Sequence, residues 1–104
     1  MERFNRVFVC VVFSILVFGQ AQANEQLAKD SGCINCHKVD SKGVGPSLKD
    51  ISTKYKGDAS AEASLVDKVK KGGSGAWGAV PMPPNSPRVS DSDIQKMVKW
   101  ILSM

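Results

Sequence analysis

The stretch Gly32-Cys33-Ile34-Asn35-Cys36-His37 decides how this sequence is interpreted. Two cysteines stand three positions apart, and the histidine that directly follows them is the only one in the chain of 104 residues. The third cysteine of the chain, Cys10, lies far upstream. The two clustered thiols and the imidazole therefore form one chemical unit, around which the rest of the sequence has to be understood.

The pattern Cys-x-x-Cys-His is the attachment signature of c-type haem. On a helical turn Cys33 and Cys36 project to one side, so that both can form thioethers with the haem vinyl groups, and His37 is carried under the iron as its proximal ligand. A redox-active dithiol would need a βαβ framework, and a structural zinc site would need a second pair of ligands; the sequence shows neither. We therefore predict one haem c, attached covalently through Cys33 and Cys36.

Residues 1–23, called the leader below, have the composition of an export signal. Arg3 and Arg6 precede an apolar run over residues 7–18, and Ala21-Gln22-Ala23 places small residues where signal peptidase cuts. A run of 12 residues is too short for a bilayer core that needs roughly 20, although an uncleaved membrane anchor is the alternative. We predict a cleaved secretory signal peptide and one periplasmic domain over residues 24–104, with no stable membrane insertion after cleavage.

This domain is short of large apolar side chains. All four phenylalanines lie in the leader, and the aromatic residues that remain are Tyr55, Trp77 and Trp100. A domain of 81 residues with so thin a core needs a disulfide, a metal or a cofactor to complete it. Its 12 basic and 9 acidic side chains give only a mild positive charge with dispersed lysines, so the sequence gives no support for nucleic acid binding.

The hydrophobic pattern predicts an all-α domain of about four short helices, without a convincing alternating strand. The last helix is the clearest, since its apolar residues at 94, 97, 98, 101 and 102 form one stripe. A long Gly- and Pro-rich loop over residues 72–89 precedes it. A loop of this length is unusual in so small a domain, so we expect it to pack around a bound group. The predicted helices are Asn24–Ser31, Ser47–Tyr55, Ser60–Lys71 and one that Ser90 caps.

A single histidine leaves the sixth iron position to a methionine, a lysine or no protein group. Met97 falls on the apolar stripe, which favours a core residue, and Met104 is the last residue. Met82 lies among prolines inside the long loop, with an ordinary packed side chain as the alternative. A thioether opposite imidazole would raise the reduction potential and fill the coordination sphere, which favours electron transfer over substrate binding.

The order and spacing of these motifs resemble a small bacterial monohaem class I cytochrome c of the cytochrome c-551 type. The resemblance covers residues 24–104, and it implies an all-helical class I cytochrome c fold wrapped around one covalent haem. It rests on Gly32–His37, Val44-Gly45-Pro46, Gly75-Ala76-Trp77-Gly78, Pro81-Met82-Pro83-Pro84-Asn85 and Lys99-Trp100-Ile101-Leu102.

The resemblance also implies the ligands of the iron. His37 and Met82 would bind the metal from opposite sides. Pro46 would accept a hydrogen bond from the second ring nitrogen of His37, and Asn85 would donate one toward the sulfur of Met82.

Three further residues have implied places near the haem. Trp77 would donate its indole N–H to a haem propionate, with plain core packing as the alternative. Lys68 would lie near a propionate where relatives often carry arginine, and Tyr55 stands where phenylalanine is frequent.

The function that the resemblance implies is that of a soluble periplasmic one-electron carrier and not an enzyme. It would cycle between Fe(II) and Fe(III) and pass electrons from a membrane cytochrome complex to a periplasmic reductase or terminal oxidase. As a monomer it would dock transiently at the haem edge with redox protein partners. A ligand-binding or catalytic haem domain is the alternative and would need a vacant or labile sixth position. Five lysines near the attachment motif could ring the haem edge or simply be solvated: Lys38, Lys42, Lys49, Lys54 and Lys56.

Overall fold

The computed structural model describes residues 11, 12, 14 and 20–104, so most of the predicted leader lies outside the described residues. The fold is mostly helical, and the predicted fold class is confirmed. None of the described helices is long and apolar enough to cross a bilayer. The elements in chain order are α1 (Gln20–Asp30), a 3-10 helix (Cys33–Asn35), α2 (Leu48–Lys54), α3 (Ala61–Lys71), β1 (Gly73–Gly75), β2 (Gly78–Met82) and α4 (Asp91–Leu102).

Serine side chains set the starts of α2 and α4, as the sequence predicts. Ser47 Oγ accepts a hydrogen bond from the backbone N–H of Asp50 at 3.0 Å, and Ser90 Oγ accepts one from the N–H of Asp93 at 3.2 Å. Each bond satisfies an N–H group that has no partner within the first helical turn. The acidic residues in those turns also lie at the positive end of the helix dipole.

The start of α1 differs from the prediction. The helix begins at Gln20, four residues before the predicted cap Asn24. Alanine and glutamine are favourable helix formers, so residues 20–23 continue the helix upstream in the uncut chain. At its other end, Gly32 has a φ of 82° and turns the chain into the 3-10 helix.

Helix α4 lies at the centre of the fold and contacts α1, α2 and α3. Its residues Ile94, Met97 and Val98 are buried and form one core cluster with Ala28 of α1 and with Val89. These three residues belong to the apolar stripe read from the sequence. Met97 is therefore a core residue, as the stripe predicts.

The long segment after α3 contains a small hairpin and is not a plain loop. Strands β1 and β2 are antiparallel, with Gly73 opposite Met82 and Gly75 opposite Gly78. Two residues form the tip, and one of them is Trp77. The sequence does not predict these strands, because glycine-rich strands carry no alternation of apolar and polar side chains.

The segment around Met82 is held against the end of α3. A Cβ atom on Gly72 would lie 2.3 Å from the carbonyl oxygen of Met82, and Gly72 has a φ of 73°, so a side chain is excluded there. Downstream, the N–H of Asn85 donates to the carbonyl of Val69 at 3.1 Å, and the N–H of Ser86 donates to the next carbonyl of α3 at 3.2 Å. Met82 thus lies against the end of α3, and the residues that follow it are hydrogen-bonded to that helix.

Candidate functional site

The attachment turn, residues 33–37, gathers the two thiols and the imidazole. The N–H groups of Cys36 and His37 both donate to the carbonyl of Cys33, at 3.2 and 2.9 Å. Both cysteines are half-buried free thiols. Two thiols and an imidazole within one turn are the donor set that c-type haem uses.

The loop that follows the attachment turn orients the imidazole of His37. Its Nδ1 lies 2.9 Å from the carbonyl oxygen of Pro46, the contact that the resemblance implied. A carbonyl oxygen can only accept, so Nδ1 carries the proton. The lone pair of Nε2 is therefore available for a metal ion.

Gly45 allows the backbone of this loop to approach the imidazole. A Cβ atom at this position would lie 2.6 Å from Cε1 of His37 and 2.9 Å from Nδ1, which is well inside van der Waals contact. We expect Gly45→Ala to displace the ring or the loop and to lower the free energy of unfolding by about 1–3 kcal/mol in denaturant titrations. Val44→Ala is the control, because Val44 is exposed and should change stability by less than about 0.5 kcal/mol. Equal stabilities of the two variants would contradict this prediction.

Cys33 connects the attachment turn to the core. Its Sγ lies 3.9 Å from Sδ of the buried Met97 on α4. Burial raises the pKa of the Cys33 thiol, and the positive charge of Arg88 opposes this rise only in part. Arg88 therefore lies within electrostatic reach of the attachment turn.

The other predicted site residues lie on α3 and the hairpin. Met82 is half-buried at the end of β2. Lys68 of α3 reaches over β1, with its Nζ 2.9 Å from the position of a Cβ on Gly73. Trp77 at the hairpin tip is 45% exposed, so it is not a plain core residue. The predicted residues thus form two groups, one on the attachment turn and its loop and one on α3 with the hairpin.

Asn85 has different hydrogen-bond partners from the predicted one. Its side chain is buried, and Nδ2 donates to the carbonyls of Val69 at 3.1 Å and Pro83 at 3.3 Å. An amide nitrogen carries two hydrogens, and each of these carbonyls accepts one of them. In this structure Asn85 links α3 to the residue after Met82. Its predicted hydrogen bond toward the sulfur of Met82 in the haem-bound protein stays a prediction.

Two basic residues make contacts that the sequence did not reveal. Arg88 Nη2 donates to Oδ1 of Asn85 at 2.7 Å. Lys54 of α2 donates to the carbonyl of Ala76 at 3.1 Å, and its Nζ lies 4.5 Å from the ring centroid of Trp77. Arg88 is the only arginine outside the leader, and this could have marked it as a candidate site residue. No pattern in the sequence predicts the contact of Lys54 with Trp77.

Comparisons with known proteins point to the same chemistry. The sequence model of the family Cytochrome c matches residues 21–104. Cytochrome c-552 of Nitrosomonas europaea is 50% identical over 91 residues, which cover 88% of this chain and 87% of that protein. Cytochrome c-551 of Pseudomonas aeruginosa is 48% identical over 83 residues, 80% of this chain and 78% of that protein. The crystal structure of wild-type Nitrosomonas europaea cytochrome c552 superimposes with a TM-score of 0.72 at 49% identity, over 76% of this chain and 96% of that chain.

The attachment turn fits the group that this family carries. Cys33 and Cys36 are free thiols that can become thioethers, and His37 offers a nitrogen whose orientation Pro46 fixes. The family match extends over most of the chain, and the relatives share about half of its residues. The chain therefore belongs to the cytochrome c family, as a small monohaem class I member of the c-551 type whose haem c is attached covalently through Cys33 and Cys36.

Proposed function

We propose that this haem electron carrier is a soluble periplasmic protein that moves one electron at a time from a membrane cytochrome complex to a periplasmic reductase or terminal oxidase. Haem c supplies, when bound, an iron that changes between Fe(II) and Fe(III). The attachment turn carries the proposal, because it combines two thiols with an imidazole that is held by Pro46. The protein side contributes a covalent anchor and fixed ligands rather than a group that reacts with a substrate.

We propose that His37 and Met82 would bind the iron of the haem. The hydrogen bond to Pro46 orients the imidazole of His37 and leaves the lone pair of Nε2 available to the iron. Met82 is supported by its half-buried position beside Gly72 and by the hydrogen bonds that join the next residues to α3. A neutral thioether favours Fe(II), and two protein ligands leave no position for a substrate, so we propose a carrier and not an enzyme.

Trp77 and Lys68 are the proposed neighbours of the haem propionates. Lys68 lies beside β1, and Trp77 occupies the tip of the same hairpin. The indole N–H is a donor that suits a carboxylate, and the lysine ammonium provides a point charge. Lys54 stacks against the indole and binds the hairpin backbone, which holds Trp77 in one orientation.

Partners are proposed to dock transiently over the haem edge, with the carrier itself monomeric. Val44, next to the loop that holds His37, is 64% exposed, and Val80, next to the prolines around Met82, is 65% exposed. These two exposed apolar side chains lie near the proposed ligands in the sequence and could form part of the small interface that transient redox complexes use.

The lysines predicted around the haem edge do not all have the same surroundings. Lys49 forms an ion pair with Asp40, and the ammonium of Lys54 is engaged by the hairpin. Lys38 and Lys42 are exposed close to the attachment turn. We propose that these two steer acidic partners toward the haem edge.

The optical spectrum of the oxidised holoprotein separates the carrier from a ligand-binding or catalytic haem domain. A carrier with Met82 on the iron shows a far-red sulfur-to-iron band and takes up cyanide slowly, because the ligand first has to displace the thioether. High-spin iron that binds cyanide at once would contradict the proposal and favour the haem domain with an open sixth position.

We propose that the leader is removed on export. In the uncut chain α1 runs through the proposed cleavage site after Ala23. Cleavage would place Asn24 at the start of the helix, where asparagine is a favourable cap. The intact mass of periplasmic holoprotein tests this proposal, since it should equal residues 24–104 plus one haem; a mass that includes the leader would contradict it.

A further inference from the structure

Arg88 contacts one of the two groups of site residues and acts electrostatically on the other. Its Nη2 is 2.7 Å from Oδ1 of Asn85, which is part of the Met82 segment. Its positive charge also reaches Cys33 in the attachment turn, where it acts on the thiol pKa in the direction opposite to burial. The proposed ligand set does not use this residue, although it contacts the segment that carries one ligand.

Arg88 determines which way the amide of Asn85 faces. A guanidinium has only donors, so the amide atom next to it must be the oxygen. The amide nitrogen is then turned toward the carbonyls of Val69 on α3 and of Pro83, at 3.1 and 3.3 Å. Because Asn85 is buried, loss of the partner of Oδ1 would leave a polar atom with little access to water.

We propose that Arg88 is a positioning residue that holds the Met82 segment in place through Asn85. The guanidinium fixes the amide, and the amide ties Pro83, the neighbour of Met82, to the end of α3. The side chain of Arg88 is largely exposed, so its hydrogen bond contributes more than its screened charge. The inference rests on the proposed function in that Met82 is taken as the sixth ligand of the iron.

Imidazole, which competes with Met82 for oxidised iron, is the probe for this proposal. We expect Arg88→Met in the holoprotein to raise the affinity for imidazole about three- to tenfold, because the conformer with Met82 detached becomes more populated by that factor. Lys96→Met is the control, since it removes the same charge from an exposed position on α4. Its imidazole affinity should stay within about twofold of the wild type.

A double variant tests whether Arg88 acts through Asn85. In an Asn85→Ala background, Arg88→Met should change the imidazole affinity by less than about twofold, because the contact that it removes is already gone. An effect as large as in the wild-type background would overturn the proposal. Equal affinities of Arg88→Met and Lys96→Met would overturn it as well.

Amide hydrogen exchange gives a readout that depends neither on the iron ligand nor on the folding of Asn85→Ala. Arg88→Met should accelerate exchange at the N–H groups of Asn85 and Ser86 by about threefold or more and leave Val98 in the core unchanged. Unchanged exchange at Asn85 would overturn the proposal. A wild-type spectrum without the sulfur-to-iron band would instead defeat the assignment of Met82, while the exchange rates still decide whether Arg88 fixes Asn85.

Discussion

Met82→Ala is expected to open the sixth position of the haem iron and to lower the reduction potential by on the order of 0.1–0.3 V, within the ~0.8 V range that axial ligands cover. The physical reason is that a neutral thioether stabilises Fe(II) more than Fe(III), and alanine offers no donor in its place. Potentiometric titration measures the shift. The far-red band of the oxidised protein should vanish, and cyanide should bind rapidly.

Met97→Ala is the matched control for this experiment. Met97 is buried on α4 with its sulfur against Cys33, so its truncation leaves a cavity in the core. We expect a loss of about 2–5 kcal/mol in the free energy of unfolding, with the far-red band retained. Loss of the band in Met97→Ala and its retention in Met82→Ala would show that the wrong methionine was assigned to the iron.

Replacing Cys33 and Cys36 together by alanine is expected to abolish covalent haem attachment. Acid–acetone extraction should then leave a colourless polypeptide, whereas the wild type should keep its porphyrin. Since the described core has only seven buried apolar residues, we also expect the double variant to lose its cooperative unfolding transition. Circular dichroism during heating measures this loss.

Cys10→Ala separates attachment from a general need for cysteine. Cys10 lies in the leader, so its replacement should leave the mature protein, its colour and its stability unchanged. Porphyrin that resists extraction in the variant without Cys33 and Cys36 would contradict the assignment of the two thioethers.

Local chemistry explains why most helices could be predicted from the sequence. Ser47 and Ser90 accept bonds from residues three positions ahead, so the signal and the structure that it specifies lie within the same turn. The apolar stripe of α4 also depends only on helical periodicity, and it correctly predicted that Met97 is buried. The attachment turn is equally local, since its residues are consecutive.

Other features depend on contacts that no local pattern encodes. The strands of the hairpin are rich in glycine, so the sequence shows no alternation of apolar and polar side chains there. The choice of acceptor by Asn85 follows from the position of Arg88 and from the carbonyls of α3 and Pro83. The contact of Lys54 with Trp77 joins two elements that lie apart in the sequence.

The backbone around Met82 has little room to move. Gly72 lies against its carbonyl, and Asn85 and Ser86 are hydrogen-bonded to α3, which bears on the speed of electron transfer. With Met82 as the proposed ligand, a sulfur on so short a tether is expected to stay close to the iron in both oxidation states. Bond lengths around the metal would then change little, and the reorganisation energy of each electron transfer would be small. The turnover of such a carrier would then depend on how often it meets a partner in a productive orientation.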